Sequence, residues 1–508
     1  MIKKNNKLTK KIIFAIALIF ITTAISFANE KEYSDGDVIV VLKPQAQKNG
    51  EVSLSAVSVA KAFASVADAE VKETYEEISN SDNGIFALLH SDYMDAEEFT
   101  EELKNNPDVL AVMPNYEVKI AALPNESEKY FNQSNCWGMY AIDAPTAWDT
   151  SMGSDSVYVA VIDTGVDYTN PDISPNYNAY YSSQYSSQKD THGHGTHVAG
   201  IIGARGNNGI GIAGVNWNVN LIAVNALPSG KGGIADIIKA LNFVAKLITE
   251  DNVNIRAVNL SIQVYINMAP TYTNLVNNPF WRAFKSLDDL NKAVIVVAAG
   301  NNGITVGKYS SSSGGYAYPA SFTGLNNMIS VGALDQNLQL ASFSNKGADV
   351  AAPGVSILST YLQSNTSYIQ DDGVSLYSMK GTSMAAPFVT GAAALLAAID
   401  PNLTAYQIKN ILANGNTHSV STSASGEKIF NLSDGINYYN ENKEEIMSST
   451  PSSNNDYDNH SNSEENTGST EFGDSSNGKS GGGGGCNGFT FGFITMIIFV
   501  PLAKKFKR

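Results

Sequence analysis

The sequence predicts an α/β fold, a mainly parallel sheet flanked by helices, preceded by a small α+β module. Three patterns point there. Residues 157–162 (VYVAVI) and 294–299 (VIVVAA) are unbroken, largely β-branched apolar runs of strand length, as expected for strands buried on both faces. Residues 196–202 and 384–398 are small and apolar, which suits helices packed against such a sheet. Upstream, residues 38–42 (VIVVL) and 84–89 (GIFALL) read as strands, and residues 96–105, opened by Asp95, read as a helix.

Size and composition agree with this class. A chain of 508 residues with 43% hydrophobic content is globular and long enough for several domains and a large core. Its formal net charge of −16 argues against nucleic acid as a partner, because phosphate binding needs a basic face. With only two cysteines, Cys136 and Cys486, there is no disulfide framework, and stability must come from packing and bound metal.

Taken in order, residues 1–28 read as an export signal. Lys3, Lys4, Lys7, Lys10 and Lys11 precede the apolar run 12–21, and Ser26-Phe27-Ala28 fits a small-x-small cleavage site; a retained anchor is the alternative. Residues 29–122 form the small α+β module, ending in a strand at 109–118, and residues 123–440 form the main α/β domain. Residues 441–485 are rich in Ser, Asn, Asp, Glu and Gly and poor in apolar side chains, so they read as a disordered linker. Residues 486–508 join an apolar stretch to Lys504, Lys505, Lys507 and Arg508, a hydrophobic segment with a basic end that implies membrane association.

The main domain carries the parts of a nucleophilic hydrolase. A serine hydroxyl is a weak nucleophile until an imidazole takes its proton, and the imidazole needs a carboxylate on its far nitrogen. Ser383 in GTSMAAPFVTG, His194 in HGHGTHVAG and Asp163 in VAVIDTGVD meet those needs. Charge developing on the attacked carbonyl oxygen calls for donors, and Asn301 in VVAAGNNG supplies a side-chain amide beside the Ser383 backbone N–H. Asp163 and Asn301 follow strands, whereas His194 and Ser383 open helices, whose N-termini favour an oxyanion. His192 and His197 read as bystanders.

On these motifs the chain resembles the subtilisin-like serine peptidases, the subtilases, over roughly residues 133–440. The resemblance implies peptide-bond hydrolysis through an acyl-enzyme, with residues 29–122 as a propeptide that assists folding and then blocks the cleft. Cleavage between propeptide and mature enzyme falls between Asn115 and Tyr130. The resemblance also implies a structural calcium site: in GNNGIGIAGV the glycines let the carbonyls of Gly206, Ile210 and Ile212 turn inward with the Asn208 side chain, and Asp172 and Gln133 add side-chain oxygens. Where subtilases carry Ser-Leu-Gly-Gly to pair with substrate, this chain has Ser261, Ile262, Gln263 and Val264. Ala298, Ala299, Gly300 and Ala317 complete a small neutral pocket, so uncharged side chains are expected before the cut bond. Met384 is an expected oxidation-sensitive position.

The tail resembles bacterial C-terminal sorting segments, with Cys486 a processing or lipid-attachment point or simply unreactive. The expected function is an exported, self-processed serine endopeptidase acting on proteins or peptides. A catalytically idle peptide-binding surface protein on the same fold is the alternative.

Overall fold

The computed structural model describes residues 33–44, 55–79, 84–120, 122–124, 136–186, 188–416 and 427–451. The expected export signal, most of the linker, the hydrophobic tail with Cys486, and Gln133 lie outside the described residues.

Seven strands form the central sheet, in the order Lys428–Ile429, Val350–Pro353, Met328–Leu334, Val294–Ala298, Ile255–Leu260, Gly153–Asp163 and Asn218–Asn225. All six pairings are parallel. Successive side chains of a strand point to opposite faces, so each apolar run feeds two cores. Val159, Val161, Val294 and Val296 pack with the helices His194–Gly203 and Thr382–Ile399, whereas Ala160, Ile162, Ile295 and Val297 pack with Ile234–Thr249 and Pro279–Asp289. The 18-residue helix Thr382–Ile399 is long and apolar enough to cross a bilayer, yet it is buried inside this fold. Its small residues permit the contact: a Cβ on Gly391 would stand 2.6 Å from Val215 Cβ.

The N-terminal sheet is antiparallel, ordered Glu70–Thr74, Ile85–His90, Tyr33–Leu42 and Val109–Ile120. The helix Ala96–Lys104 starts where Asp95 predicts, with its side chain accepting from the N–H groups of Glu97 and Glu98 at 3.0 Å each. A second helix, Ala56–Val66, escaped the sequence reading because its Ala, Ser and Val residues give little periodic contrast. One face of this sheet packs on the main domain. Ile39, Val41, Phe86 and Met113 share a core with Ile237, Leu241, Phe280 and Phe284, and Asn115 Oδ1 accepts the Ala235 N–H at 2.7 Å, capping the Ile234–Thr249 helix.

The first residues of the expected linker are ordered instead. Lys443–Ser448 forms a helix whose Ile446 is 5% exposed and joins the main core. Gln407 Nε2 donates to Met447 O at 3.1 Å and Ser449 O at 3.2 Å, while Lys443 Nζ pairs with Asp400 Oδ2 at 3.1 Å. A polar average over the segment hid one well-placed apolar residue. Ile446→Ala is therefore expected to lower unfolding stability by about 2–4 kcal/mol, measured by urea denaturation. A change within about 0.5 kcal/mol would place the helix outside the cooperative core.

Candidate active site

The carboxyl ends of the parallel strands bring the expected chemistry to one edge, where ligands of open α/β sheets collect. Asp163 ends its strand and His194 opens its helix. His194 Nδ1 lies 2.7 Å from Asp163 Oδ1, with both side chains fully buried. The Thr164 N–H donates to the same carboxylate oxygen at 2.7 Å. His194 Nε2 has no hydrogen-bond partner among the described residues. An imidazole held at one nitrogen by a carboxylate can accept a proton at the other.

Asp190 shapes the turn that aims this ring. The N-cap, Gly193, has no side chain, so Asp190 supplies the capping oxygens: Oδ1 accepts from His192 N–H (2.9 Å) and Gly193 N–H (3.0 Å), and Oδ2 from Thr196 N–H (3.1 Å) and Thr196 Oγ1 (2.6 Å). Burial raises the Asp190 carboxyl, and these bonds oppose the rise. Gly195 permits the close approach of helix and strand, since a Cβ there would sit 2.2 Å from Gly165 O.

Ser383 occupies the second position of the Thr382–Ile399 helix. Its Oγ donates to Ser261 O at 3.2 Å rather than to His194. Catalytic hydrogen bonds commonly tighten only around substrate, and a serine hydroxyl changes partner by a single rotation. A buried polar seam ties this helix to the Ile255–Leu260 strand and the residue that follows it. Ser261 Oγ donates to Ser383 O (2.9 Å), Asn259 Nδ2 to Ser261 Oγ (2.9 Å), and Thr390 Oγ1 to Asn259 Oδ1 (2.8 Å).

Asn301 is oriented by its neighbour. Its Oδ1 accepts from Thr382 N–H at 2.9 Å and Thr382 Oγ1 at 3.0 Å, which leaves its NH2 group as the end available to a ligand. Asn345 holds the same loop, with Oδ1 accepting from Asn302 and Ile304 N–H groups at 3.1 Å each and Nδ2 donating to Ala299 O at 2.7 Å.

Ser261 precedes the Ile262–Ile266 strand that Ile262 and Gln263 begin, and Ala317 lies opposite Tyr265 in the adjoining Tyr316–Tyr318 strand. Ala298, Ala299 and Ala317 are buried beside this edge. Gln263 Oε1 accepts the Asn301 N–H at 3.1 Å and would stand 2.8 Å from a Cβ on Gly300. Its bulk is thus turned against the Gly300-Asn301 loop.

The expected metal loop is brought together in part. Asp172 is fully buried, its Oδ1 accepting from Asn208 Nδ2 (2.8 Å) and its Oδ2 from Ile212 N–H (2.7 Å). Asn208 Oδ1 accepts from Ile210 N–H at 3.1 Å, so this amide must turn to offer its oxygen to a cation. Gly206 packs against the Trp217 ring. Burial pushes the Asp172 carboxyl up to about 6, and the charge of Asp372, whose Oδ2 accepts the Gly211 N–H, adds to the rise. A buried carboxylate with a second acid nearby is an environment that a cation relieves, so the donor chemistry fits calcium.

His192 and His197 take no part in the Asp163–His194 pair. His197 Nε2 bonds Ile357 O at 2.9 Å and Tyr377 O at 3.0 Å, and burial lowers its pKa to about 3. Partial burial pushes the Cys136 thiol up to about 12. Met384, expected to be open to oxidation, is fully buried in the main core. Sequence reasoning did not single out Asp190, Asn259, Asn345 or Thr390. For Asn259 and Thr390 the only signal was compositional, since a polar residue within an apolar strand or helix needs a buried partner; Asp190 and Asn345 lie in loops, which give no such signal.

Comparison with known proteins accounts for this geometry. Residues 154–436 match the subtilase family. The thermophilic serine proteinase of Bacillus sp. (strain AK1) is 35% identical over 379 residues, covering 73% of this chain and 80% of that protein. Subtilisin Savinase of Lederbergia lenta is 36% identical over 302 residues, 59% of this chain and 97% of that protein. Crystalline fervidolysin from Fervidobacterium pennivorans shares the fold, with a TM-score of 0.58 at 23% identity over 80% of this chain and 62% of its own. A family match spanning the strands and helices that carry Asp163, His194, Asn301 and Ser383 places this chain in the subtilase family, as a subtilisin-like serine endopeptidase.

Proposed function

We propose that Asp163, His194 and Ser383 form the catalytic triad and that Asn301 and the Ser383 N–H bind the oxyanion. The observation that carries this reading is the buried 2.7 Å contact of His194 Nδ1 with Asp163 Oδ1, which leaves Nε2 unpartnered among the described residues. Ser383 Oγ attacks the peptide carbonyl carbon while Nε2 takes its proton, and Asp163 stabilises the imidazolium. The oxyanion is met by the Asn301 NH2 group, preset by Thr382, so little reorganisation is needed during reaction. His194 then protonates the leaving amine, and water repeats the sequence to release the acyl group from Ser383.

Peptide substrates pair with the Ile262–Ile266 edge through backbone groups. Ala298, Ala299, Gly300, Ala317 and the inward Gln263 line a small neutral pocket for the residue before the cut. Asp172 and Asn208, with the carbonyls of Gly206, Ile210 and Ile212 and with Gln133 from outside the described residues, would hold calcium, which would supply charge compensation that stiffens the loop. Residues 29–122 act as propeptide and inhibitor, residues 1–28 direct export, and residues 486–508 attach the chain to the membrane or are removed by sorting.

Four outcomes test these assignments. Ser383→Ala is expected to abolish hydrolysis of a chromogenic peptide, and persistent turnover by the purified variant would exclude the mechanism. Asn301→Ala should lower kcat by about 10²–10³ with KM little changed, a magnitude taken from the corresponding asparagine of subtilisin itself; an unchanged kcat removes it from the oxyanion site. Gln263→Gly should raise relative kcat/KM for Phe over Ala before the cut by about tenfold in a peptide library, and an unaltered profile means that Gln263 does not limit the pocket. Chelator should lower Tm of the Ser383→Ala protein by about 5 °C or more, restored by added calcium; an unmoved Tm rejects the metal site.

A further inference from the structure

The foot of the parallel sheet, at the end away from the catalytic edge, holds a cavity of about 300 Å³ with an excess of positive charge. It lies where the Ile255–Leu260 strand begins, roughly 20 Å of strand away from Ser261. Its walls come from the loop before that strand, from residues 401–404 after the Thr382–Ile399 helix, and from Asn291 and Lys292 ahead of the Val294–Ala298 strand. Arg256 and Lys292 line it together with Asn252, Asn254, Asn291 and Asn402, and among the described residues no acid does. In a chain of formal net charge −16 such a lining is an exception.

Arg256 is only 6% exposed. Its Nη1 donates to Pro401 O at 3.0 Å and its Nη2 to Leu403 O, and no carboxylate pairs with it among the described residues. A guanidinium carries five N–H groups, so these two carbonyls leave donors over. The neighbouring Asp400 is committed elsewhere. Its Oδ1 accepts from Asn402 N–H (3.0 Å) and Nδ2 (3.1 Å), while its Oδ2 accepts from Tyr439 Oη (2.6 Å) and pairs with Lys443 Nζ (3.1 Å). Burial therefore lowers the Arg256 guanidinium, with the charge of Asp400 opposing. Carbonyl dipoles orient a buried cation without cancelling its charge, and an anion does both.

Two further groups suit such an anion. Asn291 Oδ1 accepts the Tyr406 N–H at 3.0 Å, which leaves its NH2 group as the end available to a ligand. Lys292 is exposed and makes no ion pair among the described residues. We propose that this cavity binds a small oxyanion, a carboxylate or a tetrahedral group of the sulfate or phosphate type, as the counter-ion of Arg256. The guanidinium N–H groups that Pro401 and Leu403 leave over, the Asn291 amide and the Lys292 ammonium are its donors. Arg256 belongs to the strand that leads to Asn259 and Ser261, and residues 401–403 follow the helix that carries Ser383, so the bound anion ties those two elements together at their far ends. The site is independent of the triad and of the calcium loop.

Isothermal titration calorimetry on the full chain, kept from digesting itself by Ser383→Ala, tests the site with sodium sulfate and sodium succinate, chloride holding the ionic strength constant. One anion per chain is expected, with Kd of about 1 mM or tighter for at least one of the two. The tighter of the two identifies the site as tetrahedral or carboxylate-binding. Arg256→Gln is expected to abolish binding, and Lys292→Ala to weaken it about threefold or more. Failure of both anions to bind overturns the proposal. Binding that survives Arg256→Gln in a variant folded by circular dichroism puts the anion elsewhere and overturns it equally. Should Arg256→Gln misfold, Lys292→Ala at its exposed position decides, and an unchanged affinity there rejects the cavity as the site.

Discussion

Burial of the Thr382–Ile399 helix against the parallel sheet is the constraint on which the rest of the molecule depends. A helix this apolar is stable in water only when nearly its whole circumference is covered, and the sheet together with the His194–Gly203 helix covers it. Small residues along it let strands approach closely, which fixes its position along its axis as well as its distance from the sheet. Its N-terminus, with Ser383, then has one place to be: the carboxyl edge of the strands, beside Asp163 and Asn301. The seam of Thr390, Asn259 and Ser261 locks that position with hydrogen bonds that, being buried, have no water to exchange with.

Desolvation runs through every charged group near this edge. Asp163 and His194 are fully buried together, each supplying the polar partner the other lacks. Asp190 is buried alone but surrounded by donors, so its carboxylate spends its lone pairs on the turn ahead of His194. Asp172 has fewer donors and an acid for a neighbour, and its carboxyl is pushed up accordingly. For Asp190 and Asp172 the partner set, rather than the residue type, thus decides the role.

The N-terminal sheet and the main domain are held by one shared apolar core and by Asn115 capping a helix that belongs to the other. That contact aims the Val109–Ile120 strand along the Ile262–Ile266 edge.

Much of this was legible in the residues alone. Asp163, His194, Asn301 and Ser383 announce themselves because a hydrolase needs those side chains beside particular glycines and strand ends, and the buried strands announce themselves through unbroken β-branched runs. Asp95 likewise marked its helix, since capping is a local interaction. What tertiary structure decided lies in contacts between residues far apart in the chain: Thr390 on Asn259, Asn115 on the Ala235 N–H, Ile446 in the core that Ile142 and Val161 also fill. The turn of Gln263 toward Gly300 and the register that pairs Ile120 with Ile262 and Ala122 with Gly381 are of the same kind. Local pattern specifies which groups a strand or helix presents, because propensity and periodicity act over a few residues. Which groups meet is settled only when those faces pack, because the energy that selects partners comes from burying them together.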